Sequence, residues 1–312
     1  MLYCVIAAYN NMAYTMRLCE ALAATDGDVT RTRLVVIDNG SDGTGEVIKS
    51  RFGRGAIVFD YDRNIGVSAA WNAGIRCALD GGATAILVAG NDTIPAKGTV
   101  ERLYRSIASG VLFVTGSAVS YPQSAEALSK MEVVSAPPAE YLAAPDFSFF
   151  MLTPQCIQRV GSGDANRDFE IRKQLPANTQ PPAMCMNPWE WGLFGSRYYP
   201  SYFEDNDYHA RAWLSGVELL RDEGALFGHE CSLAIRTDEQ LRQRNNDTFR
   251  RNGELFAAKW GAMPQDLPMV GAKPLNVSDE QYAAMTGGKP VRRIDAATVK
   301  EQAKQVYAGR VG

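Results

Sequence analysis

Apolar runs alternate with amphipathic stretches from Leu2 to Asp92. Leu2 to Ala8 is a continuous apolar run, and Met12 to Ala24 carries Met12, Met16, Leu18 and Leu22 at helical spacing. Arg33 to Asp38 is a second apolar run that ends on an acid. Gly45 to Phe52 starts another helix, and Ala56 to Phe59 another strand. Ser68 to Leu79 sets Trp71, Ile75 and Leu79 on one stripe, and Ala85 to Ala89 is a strand that stops at Gly90-Asn91-Asp92. Unbroken apolar runs of this length are strands buried on both faces, and the helices between them supply the cover. The pattern predicts an α/β fold with a parallel sheet flanked by helices, whose ligands gather beyond the carboxyl ends of the strands. Asp38 and Asp92 both fall at that edge.

The second half is less regular. Phe147 to Thr153 reads as a strand and Gln155 to Val160 as a short helix. Gly161 to Ser201 is long and rich in Gly, Pro, Asn and aromatic residues, the composition of a functional loop. Asn206 to Leu214 resumes a helix, Val217 to Leu220 resembles a strand, and Asp238 to Trp260 is a polar helix with Leu241, Phe249, Leu255 and Phe256 on its apolar side. A last amphipathic piece runs from Ala296 to Tyr307. The main boundary is expected near residue 236, with a catalytic domain over 1–236 and a C-terminal helical extension and tail over 237–312. Within the first, 1–100 is the ligand-binding half, and 101–236 is the second half with its inserted loop at 161–201.

Composition excludes several classes. The 312 residues are 46% hydrophobic and 21% charged, with a net charge of −3, which gives no general affinity for nucleic acid. No apolar run approaches the ~20 residues that span a bilayer. Met1 to Ala8 lacks the basic start of a secretory leader and reads as a strand. The six cysteines include no C-x-x-C pair, so they are expected to be small buried hydrophobes in a reducing, cytoplasmic setting.

The densest chemistry lies at Phe203-Glu204-Asp205-Asn206-Asp207-Tyr208, where three carboxylates occupy four positions between aromatic residues. Carboxylates this close repel unless a cation, a hydroxyl or a proton intervenes, so the segment suits a site at which an Asp takes a proton. The same acids also suit the positive end of a helix.

Five segments in order resemble the family 2 glycosyltransferases of GT-A fold. They are Val5 to Asn10, Val36 to Asp42, Asn64 to Gly74, Leu87 to Thr93 and Phe203 to Tyr208. The run Phe249 to Gly261, ending in Lys259-Trp260-Gly261, fits as well, so the resemblance extends from about residue 3 to residue 261. It implies a Rossmann-like, mostly parallel sheet flanked by helices, a nucleotide-diphosphate sugar donor such as a UDP-sugar, and inverting transfer to an acceptor hydroxyl. A glycan is the default acceptor. A hydroxylated base in DNA is the alternative, for which the basic tail with Lys289, Arg292, Arg293, Lys300, Lys304 and Arg310 could touch phosphates. A non-catalytic nucleotide- or glycan-binding relative is a third reading. A nucleotidyltransferase would need a basic glycine-rich loop after the first strand, which Ala7 to Asn11 does not provide.

The resemblance assigns roles residue by residue. Ala8, Tyr9 and Asn10 line the donor, with Tyr9 stacking on the base. Asp38 accepts from a ring N–H or a ribose hydroxyl, or else holds its own turn. Asn39, Asn64, Gly66, Asn72 and Asn91 complete the donor site, although Asn64 also suits an N-cap and Asn72 suits helix packing. Asp92 and His229 would hold Mg²⁺ or Mn²⁺, with Gly90 standing where relatives have their first acid. Asp205 is the general base, and Glu204 orients the acceptor or the sugar. Trp189, Trp191 and Asp207 are expected at the acceptor, the two tryptophans as stacking faces within the inserted loop.

Overall fold

A computed structural model of the chain describes residues 1–24, 32–40, 42–120, 145–160, 193–214, 217–230, 239–260 and 263–264. Its centre is an eight-stranded sheet in the order β3-β2-β1-β4-β7-β6-β8-β5. The strands are β1 Leu2–Ala8, β2 Thr32–Asp38, β3 Ala56–Asp60, β4 Ala85–Gly90, β5 Thr93–Pro95, β6 Phe113–Ser120, β7 Phe149–Leu152 and β8 Leu220–His229. The described helices are α1 Met12–Ala23, α2 Thr44–Phe52, α3 Val67–Asp80, α4 Thr99–Ala108, α5 Pro154–Val160, α6 Glu204–Leu214 and α7 Glu239–Trp260.

Strands β3, β2, β1 and β4 are parallel, as the apolar runs predict. Beyond them the sheet is mixed. β7 runs antiparallel to β4 and β6, and β5 runs antiparallel to β8. Side chains alternate across the sheet with the period of two that a pleated strand imposes. Tyr3, Val5, Val35, Ile37, Ile86, Val88, Phe150 and Leu152 enter one core with Trp71 and Ile75 of α3. Leu2, Cys4, Ile6, Leu34, Val36, Leu87, Phe149 and Met151 enter the other with Leu18 of α1 and Leu103 of α4. A third, smaller cluster joins Tyr198, Phe203 and Ala210 to Phe256 and Trp260 of α7.

The pattern reading places no element between Thr93 and Ser120, although α4 buries Val100, Leu103 and Ile107 on one stripe. β5 has three residues, and its partner β8 lies far along the chain, with Thr93 opposite His229. β8 also reaches well past the Val217–Leu220 stretch in which the pattern places a strand. The boundary expected near residue 236 and the amphipathic stretch 296–307 lie outside the described residues.

Parallel register aligns the ends that matter. Ala8 pairs with Asp38, and Ala7 with Gly90, so the segments after β1, β2 and β4 emerge side by side. The neighbouring helices start beside one another as well. Asp42 accepts from the N–H of Met12 (3.1 Å) and of Thr44 (3.2 Å), so one side chain ties the starts of α1 and α2 together.

Close packing of α3 on β1 depends on Gly74, where an added Cβ would lie 2.3 Å from Cγ1 of Val5. Alanine gains about 1 kcal/mol over glycine in an isolated helix, but overpacking a core costs about 1–3 kcal/mol. Gly74→Ala is therefore expected to lower stability in urea titration, and Val5→Ala in the same chain to restore part of it. Equal or higher stability of the single variant would show that the interface has slack.

Candidate active site

On the β1–β2 side, the chain builds a rigid amide and carboxylate scaffold. Asp38 is buried, and its two oxygens accept from the N–H groups of Gly40 (3.1 Å) and Gly45 (2.7 Å). Asn39 donates from Nδ2 to Oδ1 of Asn64 (3.0 Å) and accepts from the N–H of Ile65 (2.6 Å). Oδ1 of Asn64 also accepts from the N–H of Gly66 (2.7 Å). These contacts fix the first turn of α3 against the end of β2. Tyr9 and Asn10 follow β1 at the same edge, with Asn10 in the left-handed region at φ 53°. Asn72 lies one turn into α3, buried, with both amide atoms on the backbone of Phe194 (2.8 and 3.0 Å).

At the end of β4, the Asn91 amide braces Asn10 O and Thr15 Oγ1, each at 3.2 Å. Gly90 carries no side chain, and Asp92 leans into that space: a Cβ at position 90 would lie 3.2 Å from Asp92 Oδ1. Across the β5–β8 pairing, His229 Nε2 stands 3.5 Å from the same oxygen. Burial alone would lower the pKa of His229. The hydrogen bond and charge of Asp92 outweigh it, with further pull from Asp146 and Glu230, and the pKa is raised.

The acidic segment begins α6. Tyr202 and Phe203 precede it with φ of 76° and 74°, a conformation that costs non-glycine residues of order 1–3 kcal/mol each. Glu204 is 6% exposed, with no hydrogen-bond partner for Oε2 among the described residues, and burial followed by the charge of Asp205 pushes its pKa well up. A protonated Glu204 avoids a bare buried charge. Asp205 is only partly buried. Desolvation raises its pKa, the N–H of Asn206 (2.8 Å) opposes this, and the charge of Asp146 adds to the rise. The charge of Asp146 thus bears on both Asp205 and His229.

The profile of glycosyl transferase family 2 matches residues 3–156. This chain is family 2 glycosyltransferase-like, with a GT-A fold. Its fold is similar to that of the mannosyltransferase PcManGT from Pyrobaculum calidifontis, solved with GDP-Man and Mn²⁺ (TM-score 0.51, 10% identity, 99% of this chain, 74% of that one). It is also similar to GalNAc-T7 solved with UDP, GalNAc and Mn²⁺ (TM-score 0.55, 12% identity, 98% and 54%). S. aureus TarS gives a TM-score of 0.52 at 12% identity, over 99% of this chain and 53% of that one. The chain spans about half the length of the TarS and GalNAc-T7 chains. No curated protein sequence matches it.

In this GT-A chain the third acid of the segment faces inward. Asp207 is fully buried. Lys259 Nζ lies 2.7 Å from its Oδ1, Trp260 Nε1 donates to that oxygen (2.9 Å) and Tyr198 OH reaches it at 3.3 Å, while Arg211 Nε donates to Oδ2 (2.9 Å). Burial would raise the pKa of Asp207, but Lys259 and Arg211 hold it well below the usual carboxylate range. Expected at the acceptor, Asp207 instead anchors α6 to α7. His209, one turn on from Asp205, is pushed down to about 4 by burial and stays neutral. Trp189 and Trp191, and the basic tail, lie outside the described residues.

Sequence reasoning missed Asp146. It precedes β7, and Ser148 O accepts from the N–H of Gly90 (2.7 Å), so β7 begins where β4 ends. An acid just before an apolar run is the only local signal, and the antiparallel pairing that gives it meaning is not written there. Sequence reasoning also missed Asn252, whose polar side chain on a polar helix looks like a solvated one.

For a divalent cation, the donor set is one carboxylate and one imidazole. Among the described residues, no group of three or more acids, histidines or cysteines could hold a metal ion without other ligands. A cation held by Asp92 and His229 would need its remaining ligands from a diphosphate and water.

The ion pairs of Asp207 set an acid limit on stability. An unfolded carboxyl titrates near ~3.9 and the folded one lower, so this stabilisation is complete above that pH and is lost as pH falls through the folded value. Thermal melts from neutral pH to below ~3 should show this loss in the parent. Asp207→Asn should be about 3–5 kcal/mol less stable at neutral pH, with a flatter acid dependence. An unchanged acid dependence in the variant would refute the assignment.

Proposed function

We propose that the chain is an inverting glycosyltransferase that moves a sugar from a nucleoside-diphosphate donor to an acceptor hydroxyl, a glycan in the first instance. One observation carries this reading: Asp92 and His229 stand 3.5 Å apart at the edge where the parallel strands end, and Asp205 is a partly buried acid in the first turn of α6, with Asp146 adding charge near both. The family match to residues 3–156 supports nucleotide-sugar transfer in general.

Tyr9 and the Asp38–Asn39–Asn64 scaffold would receive the nucleoside, with Tyr9 stacked on the base. Asp38 has both oxygens on backbone N–H groups, so its part is to shape the turn and offer the lone pairs that remain. The diphosphate would lie toward Asp92 and His229, where Mn²⁺ or Mg²⁺, when bound, would neutralise charge on the leaving group. Asp205 takes the proton of the acceptor hydroxyl. The acceptor oxygen bonds to the anomeric carbon on the face opposite the diphosphate, the carbon–oxygen bond to phosphate breaks, and its electron pair leaves on the phosphate. Glu204, keeping its proton, donates rather than accepts at the acceptor side. A base whose pKa lies above the ordinary Asp range removes a hydroxyl proton more effectively than a free carboxylate.

Incubation with a panel of nucleoside-diphosphate sugars and glycan acceptors tests this. Transfer should give a product of inverted anomeric configuration by NMR. Asp205→Asn should lose about 10²–10⁴-fold in kcat, with UDP or GDP affinity unchanged by calorimetry. Activity should rise with pH on a limb above the ordinary aspartate range, because the base works only when deprotonated. Retained configuration, or Asp205→Asn transferring at the parent's speed, would end the proposal.

A further inference from the structure

Helix α7 makes the contacts that hold the turn before Asp205. Asn252, fully buried, donates from Nδ2 to the carbonyls of Tyr198 (2.8 Å), Ser201 (2.7 Å) and Tyr202 (3.4 Å). Arg251 donates to Tyr199 O. Phe203 packs its ring against Phe249 and Phe256 at 5.0 and 5.7 Å. One turn beyond, Lys259 and Trp260 close on Asp207, two residues past the base. The left-handed turn at Tyr202–Phe203 is thus gripped at its carbonyls from one side and at its following helix from the other.

Segment 198–202 also touches the donor side. Tyr199 OH donates to Asn64 O (3.0 Å), and the N–H of Val67 donates to Pro200 O (2.8 Å). Backbone held in a sparsely populated region persists only where its surroundings over-determine it. Here the surroundings are α7 and the donor-side loop, and the residues presented are Glu204 and Asp205.

We propose that α7 is a positioning element for the base: Asn252 fixes the Tyr202–Phe203 turn and the Lys259–Trp260 pair fixes Asp207, and together they aim Asp205 into the cleft. This rests on Asp205 being the base, as proposed above. Asn252 contacts the backbone of 198–202, and Lys259 and Trp260 contact Asp207. Their contribution is the direction in which Asp205 points relative to the donor site, which the same 198–202 segment borders.

The test compares Asn252→Ala, Lys259→Met and the conservative Lys259→Arg in the full chain. Three readouts are taken: transfer kinetics, UDP and GDP affinity by calorimetry, and hydrogen exchange by mass spectrometry. Asn252→Ala and Lys259→Met should lose about 10²-fold in kcat, the cost of a small misplacement of a reacting group, while nucleotide affinity stays within about twofold. Peptides covering 202–208 should exchange at least ~10-fold faster, while those of β1 and β2 keep their protection. Lys259→Arg should recover most of the rate. Faster exchange at 202–208 with kcat intact would overturn the proposal, as would lost kcat without faster exchange. A parallel collapse of nucleotide affinity, exchange protection and rate in all three variants, the conservative one included, would reduce α7 to a scaffold and overturn it too. If the parent neither binds a nucleoside diphosphate nor transfers sugar, the catalytic reading fails, and the exchange arm alone decides whether α7 holds the turn.

Discussion

A carboxylate taken out of water survives ionised only if its charge is met at close range, and Asp207 is the place where this chain accepts that condition. Its oxygens meet Lys259, Trp260, Tyr198 and Arg211, all buried with it. Removing one partner of such a set leaves charge stranded in a medium that cannot solvate it, which costs far more than the intact pair contributes. The arrangement ties α7 to α6 through one shared carboxylate, beside the apolar contacts of Phe203, Ala210, Phe256 and Trp260.

The parallel half of the sheet imposes the second constraint. Strands β1, β2 and β4 run in one direction and in register, so every polar residue that follows them emerges at one edge. Residues as distant along the chain as Asn10, Asn39 and Asn91 become neighbours for that reason alone. β7, antiparallel to β4, starts at that edge with Asp146 just before it, and β8, parallel to β6, ends there on His229.

The elements from β1 to β4 were legible because their side chains obey one rule each: two-residue alternation between two cores for strands, and one apolar stripe for helices. The motif residues at the strand ends were legible through turn chemistry and resemblance. What was not legible depended on partners remote in sequence. β5 is too short to carry a pattern and exists through β8. Asp146 is significant only because β7 pairs with the end of β4. Asp207 looks identical to Asp205 in the sequence, two acids in one helical turn, and only the position of α7 sends one inward and leaves the other at the cleft. Asn252 belongs to the same class: its amide reads as surface until the carbonyls of 198–202 are brought beneath it. Gly90 was noticed as a missing acid, while its physical effect is room for the carboxylate of Asp92.

Two residues of one core bracket the stretch between α5 and the strap that precedes α6. Val160 and Leu193 both belong to the cluster with Trp71 and Phe150, and Asn72 stitches the neighbouring Phe194 to α3 through two hydrogen bonds. The ends of that stretch are thus welded to the scaffold independently of what joins them. Val160 and Leu193 set where the chain leaves this core and where it rejoins it.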